Sequence, residues 1–399
     1  MHIIFIEDLF SEDQLRGEPL NILQLSAILK QAGHVVSLFD LREAARIRDA
    51  IKKSDRVILA YSLRTGFHVS KISFNARIKK EFPFVFSVVG GHHATFSPEC
   101  INEEGIDAVC LGEADEALLE LCDKYETRQD VFNTQNFWLK KNEQIIKNKL
   151  RPPVENLDIL PLFDRELLYQ YGIKKDQPIK THITSRGCPF SCTYCYAPAW
   201  KALYPGNFNF FRQQSPQRVI QEIEHIKKQA VLKFLIFEDD IFTYSKKWLR
   251  VFGELYKKHV KIPYWVYTHV KVIDAEVADI LAESNCRIVG MGIESASFHI
   301  RSKILNRDMS NDEIIQACNL LKKKKIKICL GNIMGIPGTQ LSDDINTLRF
   351  NIIINPDLPV ASILYPFPGM DILKLVKKNG IGLTDFNQYS SMRYPKMIL

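Results

Sequence analysis

Three cysteines, Cys188, Cys192 and Cys195, stand within eight residues of one another, separated by three residues and then by two. In a chain with an odd total of nine, such a group reads as reduced thiols acting as metal ligands rather than as a disulfide framework. A structural zinc site closes with four ligands, commonly from paired cysteines. No fourth candidate stands near this loop, because His182 falls inside the strand expected before it, where alternation buries the ring. A cubane iron-sulfur cluster held by only three thiolates keeps one iron without a protein ligand, and an open iron can take a substrate or cofactor. The other six, Cys100, Cys110, Cys122, Cys286, Cys318 and Cys329, share no ligand spacing and read as core filling.

The elements that must position this loop follow from periodicity. Residues 1–125 alternate short β-rich runs with amphipathic helical stretches, the pattern of a parallel sheet covered by helices. Strands are expected at 3–6, 35–39, 57–61, 84–89 and 108–111, with a helix over 21–32 ended by Gly33. This is a small doubly wound α/β domain, whose ligands bind beyond the carboxyl ends of the strands. Those ends carry Ser62 and Thr65, then Gly90 and Gly91 followed by His92 and His93. Paired glycines let a bulky ligand approach the backbone, and equally they make a tight turn.

Residues 126–180 read as a connector, with a possible hairpin at 140–144 and then Pro152, Pro153 and Pro161. From 181 to 375 the alternation resumes, with strands expected at 181–185, 234–238, 264–269, 288–293, 328–334 and 361–365 and helices such as 216–228 and 311–322. Such units build either an open doubly wound sheet or a barrel, and six of them would make a partial (β/α)6 TIM-like barrel with its active site at the strand carboxyl ends. Residues 376–399 form a short tail, and no internal repeat is found.

Composition narrows the class. A hydrophobic fraction of 46%, a charged fraction of 25% and no apolar run near the roughly 18 residues of a membrane span describe an ordinary globular chain. The start, an apolar strand running into acids, is unlike a secretory signal, so cytoplasmic residence is the expectation. The net charge of +7 is spread over short runs such as the lysines at 322–325, which argues for solvated helix faces rather than a nucleic-acid surface.

With Tyr194 immediately before the third cysteine, the loop resembles the motif of the radical S-adenosylmethionine superfamily. The resemblance implies a 4Fe-4S cluster on Cys188, Cys192 and Cys195 whose open iron is chelated by S-adenosylmethionine. Reductive cleavage then yields methionine and a 5'-deoxyadenosyl radical that abstracts hydrogen. It further implies that Phe237-Glu238-Asp239-Asp240 lies beside the methionine amino group, with Glu238 and Asp240 as candidate contacts. Glu294, in Gly290-Met291-Gly292-Ile293-Glu294-Ser295, would bond the ribose hydroxyls or the amino acid moiety, and Gly335 and Pro337 would lie near the adenine. A reducing partner such as flavodoxin or ferredoxin is expected.

The whole chain is similar to the branch with an N-terminal cobalamin-binding domain, through Gly90 to Thr95, Gly112 to Glu116 and Pro366 to Gly369. Ser62, Thr65, Gly90 and Gly91 match the positions around the cobalamin nucleotide tail. The chain departs from other cobalamin proteins in lacking the Asp-x-His-x-x-Gly signature: the loop after the first strand holds Glu7, Asp8 and Asp13 but no histidine. With cobalamin, the implied reaction is methylation of an unactivated carbon or of phosphorus. Without it, hydrogen abstraction would drive dehydration, cyclisation, epimerisation or oxidation. Two further alternatives are a methylthiotransferase, which needs a second cluster, and a non-enzymatic iron-sulfur sensor. The short reach beyond the sixth strand leads to the expectation that a partner, the N-terminal domain or the substrate itself covers the site, the substrate being a small molecule or one bound to a carrier or peptide.

Overall fold

The computed structural model describes residues 1–10, 17–204, 206 and 208–379. Among the described residues the chain divides into two compact units, one of Met1–Val154 with Leu160–Leu168, the other of Glu155–Ile159 with residues 169–379.

The first unit is built on seven strands: β1 (His2–Glu7), β2 (Val35–Asp40), β3 (Val57–Ser62), β4 (Phe86–Gly90), β5 (Ala108–Cys110), β6 (Phe137–Lys141) and β7 (Gln144–Lys147). Their spatial order is β2-β1-β3-β4-β5-β6-β7, parallel through β5 and antiparallel at the last two pairings. The 2-1-3-4-5 order is that of a doubly wound sheet. Its central strands read as continuous apolar runs because helices bury both faces: Ile3, Ile4, Ile6, Ile58 and Leu59 are wholly inaccessible. The β6–β7 hairpin extends the sheet and buries Phe137 and Leu139.

In the second unit β8 (Ile179–His182) is followed by the two-residue strands β9 (Ser185–Arg186) and β10 (Arg212–Gln213), which pair with each other. Then come β11 (Phe234–Phe237), β12 (Tyr264–Thr268), β13 (Cys286–Glu294), β14 (Lys327–Met334) and β15 (Leu358–Ile363). The six long strands are all parallel and lie side by side in chain order, the arrangement of a partial (β/α)6 barrel. Helices Pro216–Gln229, Lys246–His259, Ala275–Glu283, Asn311–Lys323 and Leu341–Ile354 pack on one face. Between helices and sheet lies a core that includes Ile223, Phe252, Leu281, Leu321 and the strand residues Phe237, Val266 and Val289. Burying each such side chain contributes roughly 1.5–3 kcal/mol.

The helices start where the sequence provides an N-cap. The side chains of Ser215, Ser245, Asp274 and Ser310 each accept a backbone N–H of the first turn, and Ser310 with Glu313 completes a reciprocal capping box. Two strands are displaced from expectation by three residues at one end. β15 begins at Leu358 rather than 361 because it is an edge strand, where Pro359 is tolerated despite its missing N–H. β8 stops at His182 because the Thr184 N–H is taken by the Asp239 carboxylate, at 3.1 Å, instead of a ladder partner.

Candidate active site at the strand ends

The three-cysteine loop leaves β8 through a tether and a glycine. Asp239, just past β11, accepts from the Thr184 backbone N–H, from Thr184 Oγ1 at 2.7 Å and from Ser185 Oγ. Gly187 follows with φ +87°, and a Cβ there would lie 2.3 Å from the Phe210 carbonyl oxygen, so no side chain fits. The far end of the loop is strapped to residues 304–306: Thr193 N–H and Oγ1 donate to Leu305 O and Ile304 O at 3.1 and 2.8 Å, and Asn306 Nδ2 donates to Ser191 O at 2.7 Å. Phe190 stacks on His269, with ring centroids 3.9 Å apart. The loop is therefore fixed by protein contacts alone.

On it Cys192 is buried, Cys188 and Cys195 are half-buried, and all three are free thiols. Cys195 also caps the helix Tyr196–Ala202, its Sγ accepting from Ala197 N–H at 3.4 Å. Burial, with the Asp240 carboxylate and the neighbouring thiols adding to it, pushes Cys188 up to about 12 and Cys195 to about 11. Without a cation, thiols in such a place stay protonated; metal coordination would draw the protons off. Among the described residues no three His, Cys, Asp or Glu side chains converge on a point that would hold a single metal ion. Three thiolates fall one short of the four ligands of a structural zinc site, so the donor set fits a cluster with one open iron better than a lone zinc. His182 is buried and bonded through Nε2 to Gln214 Oε1 at 3.1 Å, in the core rather than on the loop.

The acids that follow β11 take separate roles. Glu238 and Asp240 are exposed, and Asp240 is near enough to raise both Cys188 and Cys195. Asp239 between them is the buried tether. Burial pushes it up to about 6 even though Ser185 and Thr184 donate to it.

Glu294 ends β13 at a register shift, with φ +66°. Its Oε1 accepts from Tyr194 Oη at 2.8 Å, which joins the aromatic of the cysteine motif to the acid a hundred residues later. Gly292 makes room for that carboxylate, since a Cβ there would stand 1.9 Å from Glu294 Oε1. Burial raises the Glu294 pKa, opposed by Arg307 and by the Tyr194 bond. Arg307, which reaches Cys192, is a residue of this site that sequence reading missed. It is buried, donates to Gly292 O from Nε and Nη2 at 3.1 and 2.6 Å, and places Nη1 3.5 Å from Cys192 Sγ. Nothing in its local spacing marks it.

Gly335 and Pro337 form the turn after β14. Gly335 has φ +67° and donates its N–H to Asp344 at 3.3 Å, while Pro337 is buried. Ile336 between them belongs to an apolar cluster with Leu305 and Met370 against which Tyr194 packs. The cysteines, Tyr194, Asp240, Glu294 and this turn are thus gathered at one end of one sheet.

In the first unit, Ser62 Oγ accepts from Asn21 Nδ2 at 2.9 Å, and Thr65 Oγ1 is 3.0 Å from His93 Nδ1, whose ring stacks on His68 at 3.7 Å. Burial, reinforced by His68, holds His93 down to about 3, so the ring is neutral. Leu63 N–H donates to Gly90 O at 2.7 Å and His93 N–H to Leu63 O at 3.1 Å, joining the ends of β3 and β4. Gly91 has φ +90°, and a Cβ would lie 2.8 Å from Leu63 O. All four expected residues share these two adjacent strand ends, a backbone-lined cradle that suits the tail of a large cofactor. Asp13 and residues 380–399 of the expected tail lie outside the described residues.

Comparison with known proteins agrees with both halves. The B12 binding domain model matches residues 8–122 and the radical SAM superfamily model residues 182–350. An uncharacterized methyltransferase, PH0819, of Pyrococcus horikoshii is 28% identical over 94% of this chain and 82% of its own length. The anaerobic magnesium-protoporphyrin IX monomethyl ester cyclase of Rubrivivax gelatinosus is 24% identical over 93% of this chain and 68% of its own. Among solved structures, the radical S-adenosylmethionine methyltransferase TsrM of Kitasatospora setae, with cobalamin and a [4Fe-4S] cluster bound, superposes with a TM-score of 0.75 at 15% identity, over 93% of this chain and 73% of that one; this likeness is one of fold. The chain thus carries a B12 binding domain over residues 8–122 and, after it, a radical SAM superfamily domain over residues 182–350, a pairing that implies a 4Fe-4S cluster, S-adenosylmethionine and cobalamin as cofactors.

Proposed function

We propose that the protein is a cobalamin-dependent radical methyltransferase acting on an unactivated carbon, or on phosphorus, of a small-molecule or a carrier- or peptide-bound substrate. When bound, the cluster and S-adenosylmethionine supply a 5'-deoxyadenosyl radical for hydrogen abstraction, and cobalamin supplies the methyl group. The chain's own work is to hold and orient. Cys188, Cys192 and Cys195 hold the cluster on a loop already fixed by Asp239 and residues 304–306. Exposed Asp240, beside Cys188 and Cys195, is placed to receive an ammonium, with Glu238 as the alternative. Tyr194 fixes the rotamer of Glu294, leaving one carboxylate oxygen for ribose hydroxyls. Gly335 and Pro337 bring bare backbone and a rigid turn to the adenine side. In the first unit, Ser62, Thr65, Gly90 and Gly91 offer hydroxyls and unobstructed backbone to the nucleotide tail of cobalamin.

The observation that carries this reading is the fixed three-thiol loop joined through Tyr194 to Glu294. Protein reconstituted anaerobically and given S-adenosylmethionine, methylcobalamin and a reductant such as dithionite or reduced flavodoxin is expected to release 5'-deoxyadenosine and to retain corrin absorption after desalting. Absence of 5'-deoxyadenosine would contradict the radical chemistry. The likeness to a cyclase favours a second reading, hydrogen abstraction without methyl transfer. Release of 5'-deoxyadenosine while the retained methylcobalamin keeps its methyl group would select it.

A further inference from the structure

Arg307 is only 8% exposed, and its guanidinium is held as a fork. Two of its nitrogens donate to the single carbonyl of Gly292 at the end of β13, which fixes the plane of the group and directs Nη1 to Cys192 Sγ at 3.5 Å. A guanidinium so placed is a permanent positive charge. The other two thiols have different surroundings. Asp240 lies near both Cys188 and Cys195, and Cys195 accepts a neutral backbone N–H. Of the three thiols, Cys192 is the one that receives a charged donor among the described residues. Reduction adds an electron to a cluster, and a cation or N–H donor beside a ligating sulfur stabilises the more negative state, which raises the reduction potential.

We propose that Arg307 is a positioning residue that sets the reduction potential of the cluster, holding it less negative than three thiolates alone would, by donating to Cys192 from a fork locked on Gly292. The inference rests on the three cysteines being the cluster ligands. Its consequence is that the enzyme accepts an electron from a milder donor than the same cluster would without the arginine.

The test is an EPR-monitored potentiometric titration of the full chain, reconstituted anaerobically and without S-adenosylmethionine, so that any role in binding that cofactor is not read. Arg307→Met is expected to take up the wild-type amount of iron and to shift the midpoint to more negative potential. Arg307→Lys, which keeps the charge but not the fork, is expected to shift it less. Lys257→Met, which removes an exposed charge in the last turn of the helix Lys246–His259, is expected to leave the midpoint where it was. A fully loaded Arg307→Met with the wild-type midpoint overturns the inference, including the case in which affinity for S-adenosylmethionine falls and the midpoint stays. If Arg307→Met takes up no iron, Arg307→Lys decides: a negative shift is the expected result and a wild-type midpoint overturns it. Wild-type protein that forms no cluster at all would count against the cluster assignment instead.

Discussion

At the scale of single residues, the site depends on atoms that are absent as much as on those present. Gly292 has no Cβ, and the Glu294 carboxylate occupies the space. Because the colliding atom is the end of a flexible side chain, Gly292→Ala is expected to fold and to load iron while displacing that carboxylate from Tyr194. A hydrogen bond to a charged group is worth about 1.5–3 kcal/mol, so affinity for S-adenosylmethionine should fall roughly 10- to 100-fold in equilibrium binding. Asp239 carries a second prediction. Burial holds its folded-state pKa at about 6, above the ordinary carboxyl value of 3.8. A raised carboxyl binds its proton more tightly when folded, so the contribution is complete below pH 3.8 and is lost as pH rises through about 6. Two units correspond to on the order of 3 kcal/mol. Urea titrations of metal-free protein should show wild-type stability falling across that window relative to Asp239→Asn, which cannot ionise; parallel curves would refute the assignment. The three cysteines are legible from sequence because their spacing is local, whereas Glu294 enters only through the family resemblance. Arg307 is not legible, since its meaning lies in a contact with a cysteine 115 residues away.

Elements were read well where the physics is local and less well where neighbours decide. The helix at 311–322 is found as Asn311–Lys323 because Ser310 and Glu313 announce its start. Loss of such a cap costs about 1 kcal/mol, so Ser310→Ala should lower the melting temperature by a few degrees, roughly 2–4 °C for a unit of this size, with no change in iron content. β15 was displaced by three residues because only its place at the sheet edge licenses Pro359, and edge position is a property of the assembled sheet. Likewise the connector at 126–180 contains the β6–β7 hairpin, whose role follows from pairing with β5 rather than from its own sequence. Asp239 shows the same limit: an acid in a row of three carries no sign of which one turns inward.

For the molecule as a whole, each unit keeps its candidate cofactor residues at the carboxyl ends of a parallel sheet, where backbone ends and loops can meet a ligand. The two sets should therefore be separable. Gly91→Ala places a Cβ against the Leu63 carbonyl at a positive φ and is expected to abolish corrin retention while leaving iron content and 5'-deoxyadenosine release at wild-type levels; joint loss of both would contradict independent sites. Among the described residues no helix is long and apolar enough to cross a membrane. The central claim is that Cys188, Cys192 and Cys195 hold a cluster with one open iron. Its most direct test is the EPR spectrum of the reduced, reconstituted protein before and after S-adenosylmethionine is added. A cluster of about four irons per chain whose signal changes on addition, together with no cluster in Cys192→Ala, is the predicted result. An unchanged signal, or a cluster retained in Cys192→Ala, would contradict it.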